Sequence, residues 1–348
     1  VYLRAFKEQL LSGPVEARPH DGEYISRFER WDALASVRRR PRRDFEGKDP
    51  GHFFFPPELY PVVLHPMVAS RGEGVVRGLL LQRLYDYLDF TTELENLAVI
   101  PVATKISRGR SGLNLPEHMR ADAHKIVTDE AWHAQFSDDF ARQIATSTGS
   151  ARLGAENSAG PSFVTRLDEL RDQLPHALRG VEGLLFGIVS ETLISGILSD
   201  IPRDDRLPSA VRELVRDHAE DEGRHHVYFR SVLRHLWPAL TPSERRDVGP
   251  LVPGAIHAFL EPDYDRAAYH LGGIGLSRDE IDQVISESWP AHQVRHDISA
   301  AASQLTRYFA EVGALDDVRT RDSFAQAGLV GTVRESEQTG CTPREVTA

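Results

Sequence analysis

The 348-residue sequence predicts an all-α fold. Three observations carry this expectation. Apolar residues recur at intervals of three and four over several long segments. No run alternates apolar and polar residues as a half-buried strand would. One stretch, Gly183 to Leu198, carries a single charge at its middle, Glu191, and reads as a helix buried on all sides.

Taken in order, the chain divides into an extension over residues 1–70, expected to pack on the core, a helical domain over 71–312, and a polar, flexible tail over 313–348. In the extension, Arg38-Arg39-Arg40-Pro41-Arg42-Arg43 reads as a solvated loop or a subunit contact. Acidic residues flank it and no aromatic interleaving follows, which argues against nucleic acid. Phe53-Phe54-Phe55-Pro56-Pro57 reads as an apolar segment docked on the core. The helical domain opens over residues 74–104. Here Glu93 has Asp86, Asp89 and Asn96 as helical neighbours, a polar face. Glu95 has Leu88, Ala98, Val99 and Val102, an inward face. A carboxylate there is costly unless paired or bound to a metal.

A loop with Gly109 and Gly112 leads to a second long helix, 116–147, holding Glu130-Ala131-Trp132-His133. The three-residue spacing puts Glu130 and His133 on one side. A Gly/Ser/Ala-rich loop and a short amphipathic piece, 163–174, follow. The next helix, about 176–199, carries Glu191, for which a buried arginine partner is the alternative to a metal. Pro202 and Pro208 bracket the turn into a helix over 208–237 containing His218, Glu222 and His225. At about 100° per residue these three side chains lie within about 60° of one another. A further helix runs to about Leu260. Ser277-Arg278-Asp279-Glu280 looks like a capping box opening a helical region to about Val312, kinked or split at Pro290.

Composition narrows the function. A net charge of -11 argues against a nucleic-acid binder. The single cysteine, Cys341, allows no disulfide or thiolate cluster within one chain. With no signal peptide or membrane span legible, a cytoplasmic location is expected. The constellation Glu95, Glu130-x-x-His133, Glu191 and Glu222-x-x-His225 has the ligand grammar of a dinuclear carboxylate site in a four-helix bundle. His218 is a seventh candidate where six are usual.

That extra histidine, four residues before Glu222, carries a resemblance. The chain resembles the diiron arylamine N-oxygenases, the family typified by p-aminobenzoate N-oxygenase. The intervals agree too: thirty-five residues from Glu95 to Glu130 and twenty-seven from Glu191 to His218. The resemblance covers about residues 74–230. It implies a ferritin-like four-helix bundle core with additional helices, often dimeric. It implies two iron ions, with manganese not excluded on these ligands, and O2 as co-substrate. It implies that Glu95, Glu130 and His133 serve mainly one iron, that Glu191, His218 and His225 serve the other, and that Glu130 and Glu222 bridge. It implies oxidation of an amine through hydroxylamine and nitroso stages to a nitro group, in secondary metabolism of the antibiotic-producing kind. Tyr87 and Arg295 stand where substrate-binding residues are expected. An external electron donor, a reductase or ferredoxin, is required, since no flavin, nicotinamide or iron–sulfur motif is present. The competing readings are a diiron oxygenase acting on a C–H bond or an aldehyde, and a ferritin-like iron-oxidising or storage protein.

Overall fold

A computed structural model describes residues 24–47, 53–153 and 162–331. Among these every regular element is helical and no strand occurs. Helices of eight or more residues are α1 Glu73–Leu94, α2 Ile100–Ser107, α3 Glu117–Thr148, α4 Ser162–Gln173, α5 Val181–Ile197, α6 Ser209–Ala239, α7 Val252–Leu260, α8 Tyr264–Gly273, α9 Arg278–Ser288, α10 Ala291–Glu311 and α11 Val318–Gln326.

Local chemistry explains where these helices start and stop. Pro116 and Pro208 precede α3 and α6, and proline cannot continue a helix from its N-terminal side. Gly149 ends α3 with φ +69°, in the left-handed region. Ser277 and Glu280 form the expected reciprocal capping box before α9. Pro290 splits the following region, ending α9 and leading into α10.

The first long helix departs from the expected continuous run. A π-turn, Glu95–Val99, separates α1 from α2. Pro101 supplies the reason. It has no N–H to give the preceding turn, and its ring collides with a regular α-path. The chain widens by one residue before the proline and restarts as α2. Such π-bulges often lie at functional sites, and this one begins at Glu95.

Packing follows composition. α5 is apolar around its circumference, and Leu184, Phe186, Ile188, Val189 and Ile194 are buried. It packs on α6, α7, α10 and the π-turn. α3 packs along α1, the π-turn and α2. Trp237 of α6, Phe309 of α10 and Phe324 of α11 meet in sequence, the first pair edge to face and the second tilted, at 6.2 and 6.1 Å between ring centroids. α11 lies inside the tail expected to be flexible from residue 313. Its Thr320 and Phe324 are fully buried, so residues up to about 331 are held by packing. Cys341 and the rest of the tail lie outside the described residues. No described helix is long and apolar enough to cross a membrane.

The segment from Tyr24 to Arg43 forms a strap across α3 and α6. Tyr24 and Ser26 donate hydrogen bonds to Asp122 of α3 at 2.9 and 2.6 Å. The basic run is not a solvated loop along its length. Arg40 pairs with Asp217 and Glu220 of α6, Arg42 with Asp139 of α3, and Arg43 with Asp217 and Glu213 of α6. Arg38 and Arg39 remain exposed. Past Arg43, Phe55 is buried and lies 6.3 Å from the Tyr87 ring, so the phenylalanine segment docks on α1.

Asp217 is nearly buried, so removing its guanidinium partner leaves a charge without its main hydrogen-bond donor. Arg43→Ala is expected to lower stability by about 1–3 kcal/mol. A urea midpoint unchanged from the wild type, at equal helix content, would show that the strap adds no stability there.

Candidate metal centre

Seven side chains from α3, α5, α6 and the π-turn meet in the interior. Glu95, Glu130, His133, Glu191, His218, Glu222 and His225 are each at most 1% exposed. They fall into two groups of mutually close donor atoms. Glu95, His133 and His218 form one, and Glu130, Glu191, Glu222 and His225 the other.

Several distances define the cluster. His133 Nδ1 lies 2.7 Å from Glu130 and 3.4 Å from Glu222. His225 Nδ1 lies 2.7 Å from Glu130, 3.3 Å from Glu222 and 3.6 Å from Glu191. His218 Nε2 lies 3.2 Å from Glu222 and 3.9 Å from Glu95. Glu130 and Glu222 therefore stand between the imidazoles of both groups. The resemblance implies that His218 serves the same iron as Glu191 and His225; the donor atoms group it with Glu95 and His133, its ring 4.3 Å from that of His133. Its place on α6, one turn before Glu222, sets it at the level of His133 on the facing helix.

The donor atoms are orphaned in direction if not in distance. Close as they lie, neither oxygen of Glu95, Glu191 or Glu222 meets a partner in hydrogen-bonding geometry, nor do Glu130 Oε1, His225 Nδ1 or the two nitrogens of His218. Buried polar groups are normally satisfied, and leaving one unmade costs about 1–3 kcal/mol. Four carboxylates and three imidazoles aimed at common points fit a pair of cations, with oxygen and nitrogen donors that suit iron or manganese. Glu191 has no arginine beside it among the described ion pairs; its nearest charged partner is His225.

Comparison with known proteins now decides the family. Residues 41–313 match the family model described as P-aminobenzoate N-oxygenase AurF. The chain belongs to the p-aminobenzoate N-oxygenase family. A curated relative, 4-aminobenzoate N-oxygenase of Streptomyces thioluteus, is 23% identical over 226 residues, 64% of this chain and 66% of the relative. The chain thus spans just under two thirds of that relative's length.

In this member of the family the histidines are held from behind by acids that the sequence reading passed over. Asp129 and Asp221 directly precede Glu130 and Glu222, making two D-E-x-x-H runs. Each aspartate serves the other helix. His133 Nε2 donates to Asp221 at 3.1 Å, and His225 Nε2 donates to Asp129 at 3.2 Å. This fixes the proton on Nε2 and turns Nδ1 of each ring toward the centre. The aspartates are satisfied in turn. Trp31 Nε1 donates to both oxygens of Asp129 at 2.8 and 3.0 Å. The Ser36 amide donates to Asp221 at 3.2 Å, and Arg224 also donates to it. The repeated acid before the glutamate was a legible signal. The tryptophan, ninety-eight residues from its partner, was not.

Electrostatics agree with a cation site. Burial, and then the neighbouring carboxylates, push Glu95 and Glu191 well above the usual carboxylate range. Burial is also the largest influence on Glu130 and Glu222 and opposes their charge, but the histidines together outweigh it, His225 with His133 at Glu130 and His225 with His218 at Glu222, and hold both low. Burial disfavours a charged His133, yet Glu130 and Asp221 raise it to about 10. Without metal, protons stand in for cations, and metal binding would release them.

Tyr87 is buried on α1, and the nearby carboxylates of Glu222 and Glu95 add to burial in raising its hydroxyl. Arg295 is exposed on α10 with its stem beside Gly328, and it is not part of the buried set.

Three outcomes are expected. Asp221→Asn should weaken iron binding roughly 10–100-fold, because the supporting carboxylate charge on His133 is lost; an unchanged affinity in a competition titration would remove Asp221 from that role. Metal-free protein should lose stability between pH 6.5 and 10. A group whose folded pKa is raised stabilises fully below its unfolded value, and His133 titrates from 6.5 unfolded to about 10 folded. His225, Glu95 and Glu191 are raised as well and act with the same sign. Glu191→Gln should stabilise metal-free protein near neutral pH by about 1–3 kcal/mol while lowering its metal stoichiometry. A flat stability curve, or no gain in the variant, would contradict this electrostatic account.

Proposed function

We propose that this chain is a non-haem diiron N-oxygenase that oxidises an aromatic primary amine with O2, through hydroxylamine and nitroso stages, toward a nitro compound. The observation that carries the proposal is the set of seven buried side chains whose orphaned donor atoms converge in two groups. Family membership and the activity for which the relative is named support it. The packing of α1, α3, α5 and α6 is consistent with a ferritin-like four-helix bundle core.

On this reading Glu95, His133 and His218 hold one iron, Glu191 and His225 the other, and Glu130 and Glu222 lie between them. The iron pair would supply the activation of O2. The chain's own residues supply the setting. Asp129 and Asp221 hold the Nε2 protons of His225 and His133, so that Nδ1 of each ring is aimed inward and is the nitrogen that would yield its proton to a metal. The dry interior excludes water from the reacting amine. Tyr87 and Phe136, the latter 5.4 Å from the His133 ring, offer pocket walls for an aromatic amine. Each oxygen atom inserted from O2, with the other leaving as water, draws two electrons from an outside donor. A homodimer working in secondary metabolism completes the proposal, and sedimentation tests the dimer.

The test uses protein loaded with ferrous iron. Two irons per chain are expected by mass spectrometry of the metal. With 4-aminobenzoate, a reductant and labelled O2, label should enter 4-hydroxylamino- and then 4-nitrobenzoate. Two bound irons with every arylamine left intact would move the assignment to C–H or aldehyde oxidation. A shell-sized assembly that mineralises iron would move it to storage. Glu95→Ala and Glu191→Ala should each reduce product at least 100-fold through loss of metal.

A further inference from the structure

We propose that the strap is the docking face of an acidic, one-electron carrier protein, and that Trp31 is the point where electrons pass from it to the metal centre. This rests on the diiron reading above.

The centre is sealed, because no ligand side chain is more than 1% exposed. A carrier cannot touch it, so electrons must cross protein. Two hydrogen-bonded routes lead outward from the histidines. The first runs from His133 to Asp221 and ends on the Ser36 backbone amide and on Arg224. Neither is an electron-conducting group. The second runs from His225 to Asp129 and ends on the indole of Trp31. Trp31 is only partly buried and lies on the outer strap. The same strap places Phe28 face to face with the His225 ring, 6.0 Å between centroids and 10° between planes. A π-system reaching the surface through two hydrogen bonds couples a donor to His225 better than a gap of saturated side chains.

The strap segment that carries Trp31 is basic in a chain that is acidic as a whole. Arg27, Arg30, Arg38 and Arg39 are exposed, against the acids Glu29 and Asp32, for a net of +2 over residues 27–39. Arg38 lies over the Trp31 ring, 5.7 Å from its centroid, and pairs with Asp32 at 3.5 Å. Arg40, Arg42 and Arg43 are already committed to acids of α3 and α6. The four outer arginines are thus left facing solvent on a protein with net charge -11. Like charge over the rest of the surface turns an acidic carrier away, and this patch receives it.

The step balances simply. The carrier loses one electron and one ferric ion becomes ferrous; two transfers reduce the pair. The electron tunnels through the indole, Asp129 and His225, and none of these gains or loses an atom.

The experiment is anaerobic stopped-flow reduction of the iron-loaded ferric protein, read by its absorbance and not by turnover. A reduced plant-type [2Fe–2S] ferredoxin serves as the acidic carrier and dithionite as a small reductant. Trp31→Phe keeps an aromatic ring and loses the hydrogen bond; Trp31→His keeps a ring N–H. Ferredoxin-driven reduction should fall about tenfold or more in Trp31→Phe and recover in part in Trp31→His. It should also fall in the double variant Arg38→Glu/Arg39→Glu, and in the wild type as salt rises. Reduction by dithionite should stay within twofold throughout. Equal ferredoxin rates in wild type and variants would overturn the proposal. So would a variant slowed alike with both donors or depleted of iron, since Trp31 would then only hold Asp129 in place. A wild-type protein that binds no iron would instead sink the metal reading, and this inference with it.

Discussion

Four carboxylates and three imidazoles share one dry interior, and the rest of the molecule is arranged around that burden. Their mutual repulsion and desolvation oppose folding, and protons on His133 and His225 offset only part of it. The surrounding structure holds them together regardless. α5 and α6 pack closely, α3 lies along α1 and α2, and an apolar core extends through α7, α10 and α11. Stability is spent on a site that is unfavourable until cations arrive. That is the usual relation between a protein's strain and its function.

The imidazoles are held by a crossed arrangement. Each of the two D-E-x-x-H runs gives a glutamate to the centre and an aspartate to the histidine of the opposite helix. The two helices therefore fix each other's ligands, and a shift of one along the other would break both hydrogen bonds. The strap closes the seam from outside. It satisfies both aspartates, through Trp31 and Ser36, and neutralises the acids at the helix surfaces through Arg40, Arg42 and Arg43. Within a run of arginines that looks like a solvated loop in isolation, Arg40, Arg42 and Arg43 clamp the strap to the acidic faces of α3 and α6, while Arg38 and Arg39 stay exposed.

Much of the centre was legible before any coordinates. Glu95 and Glu191 announced themselves as charges on apolar faces, and the paired E-x-x-H runs followed from helical geometry. The aspartates beside Glu130 and Glu222 were legible too, as a repeated acid, though their crossing was not. The π-turn had a local cause in Pro101, since a proline in mid-helix must be accommodated by some break. Arg295 shows the opposite case. Its distance in sequence from the other residues left its direction open, and packing of α10 turned it to solvent.

The sequence by itself determined most of the helices, the capping box at Ser277 and the set of candidate ligands, because each depends on neighbours within one or two turns. Only the tertiary structure decided that His218 joins Glu95 and His133, that Asp129 and Asp221 serve opposite helices, and that Trp31 completes one of those pairs. These relations join residues 85 to 123 positions apart. No local periodicity encodes them, because they arise from which helix faces which.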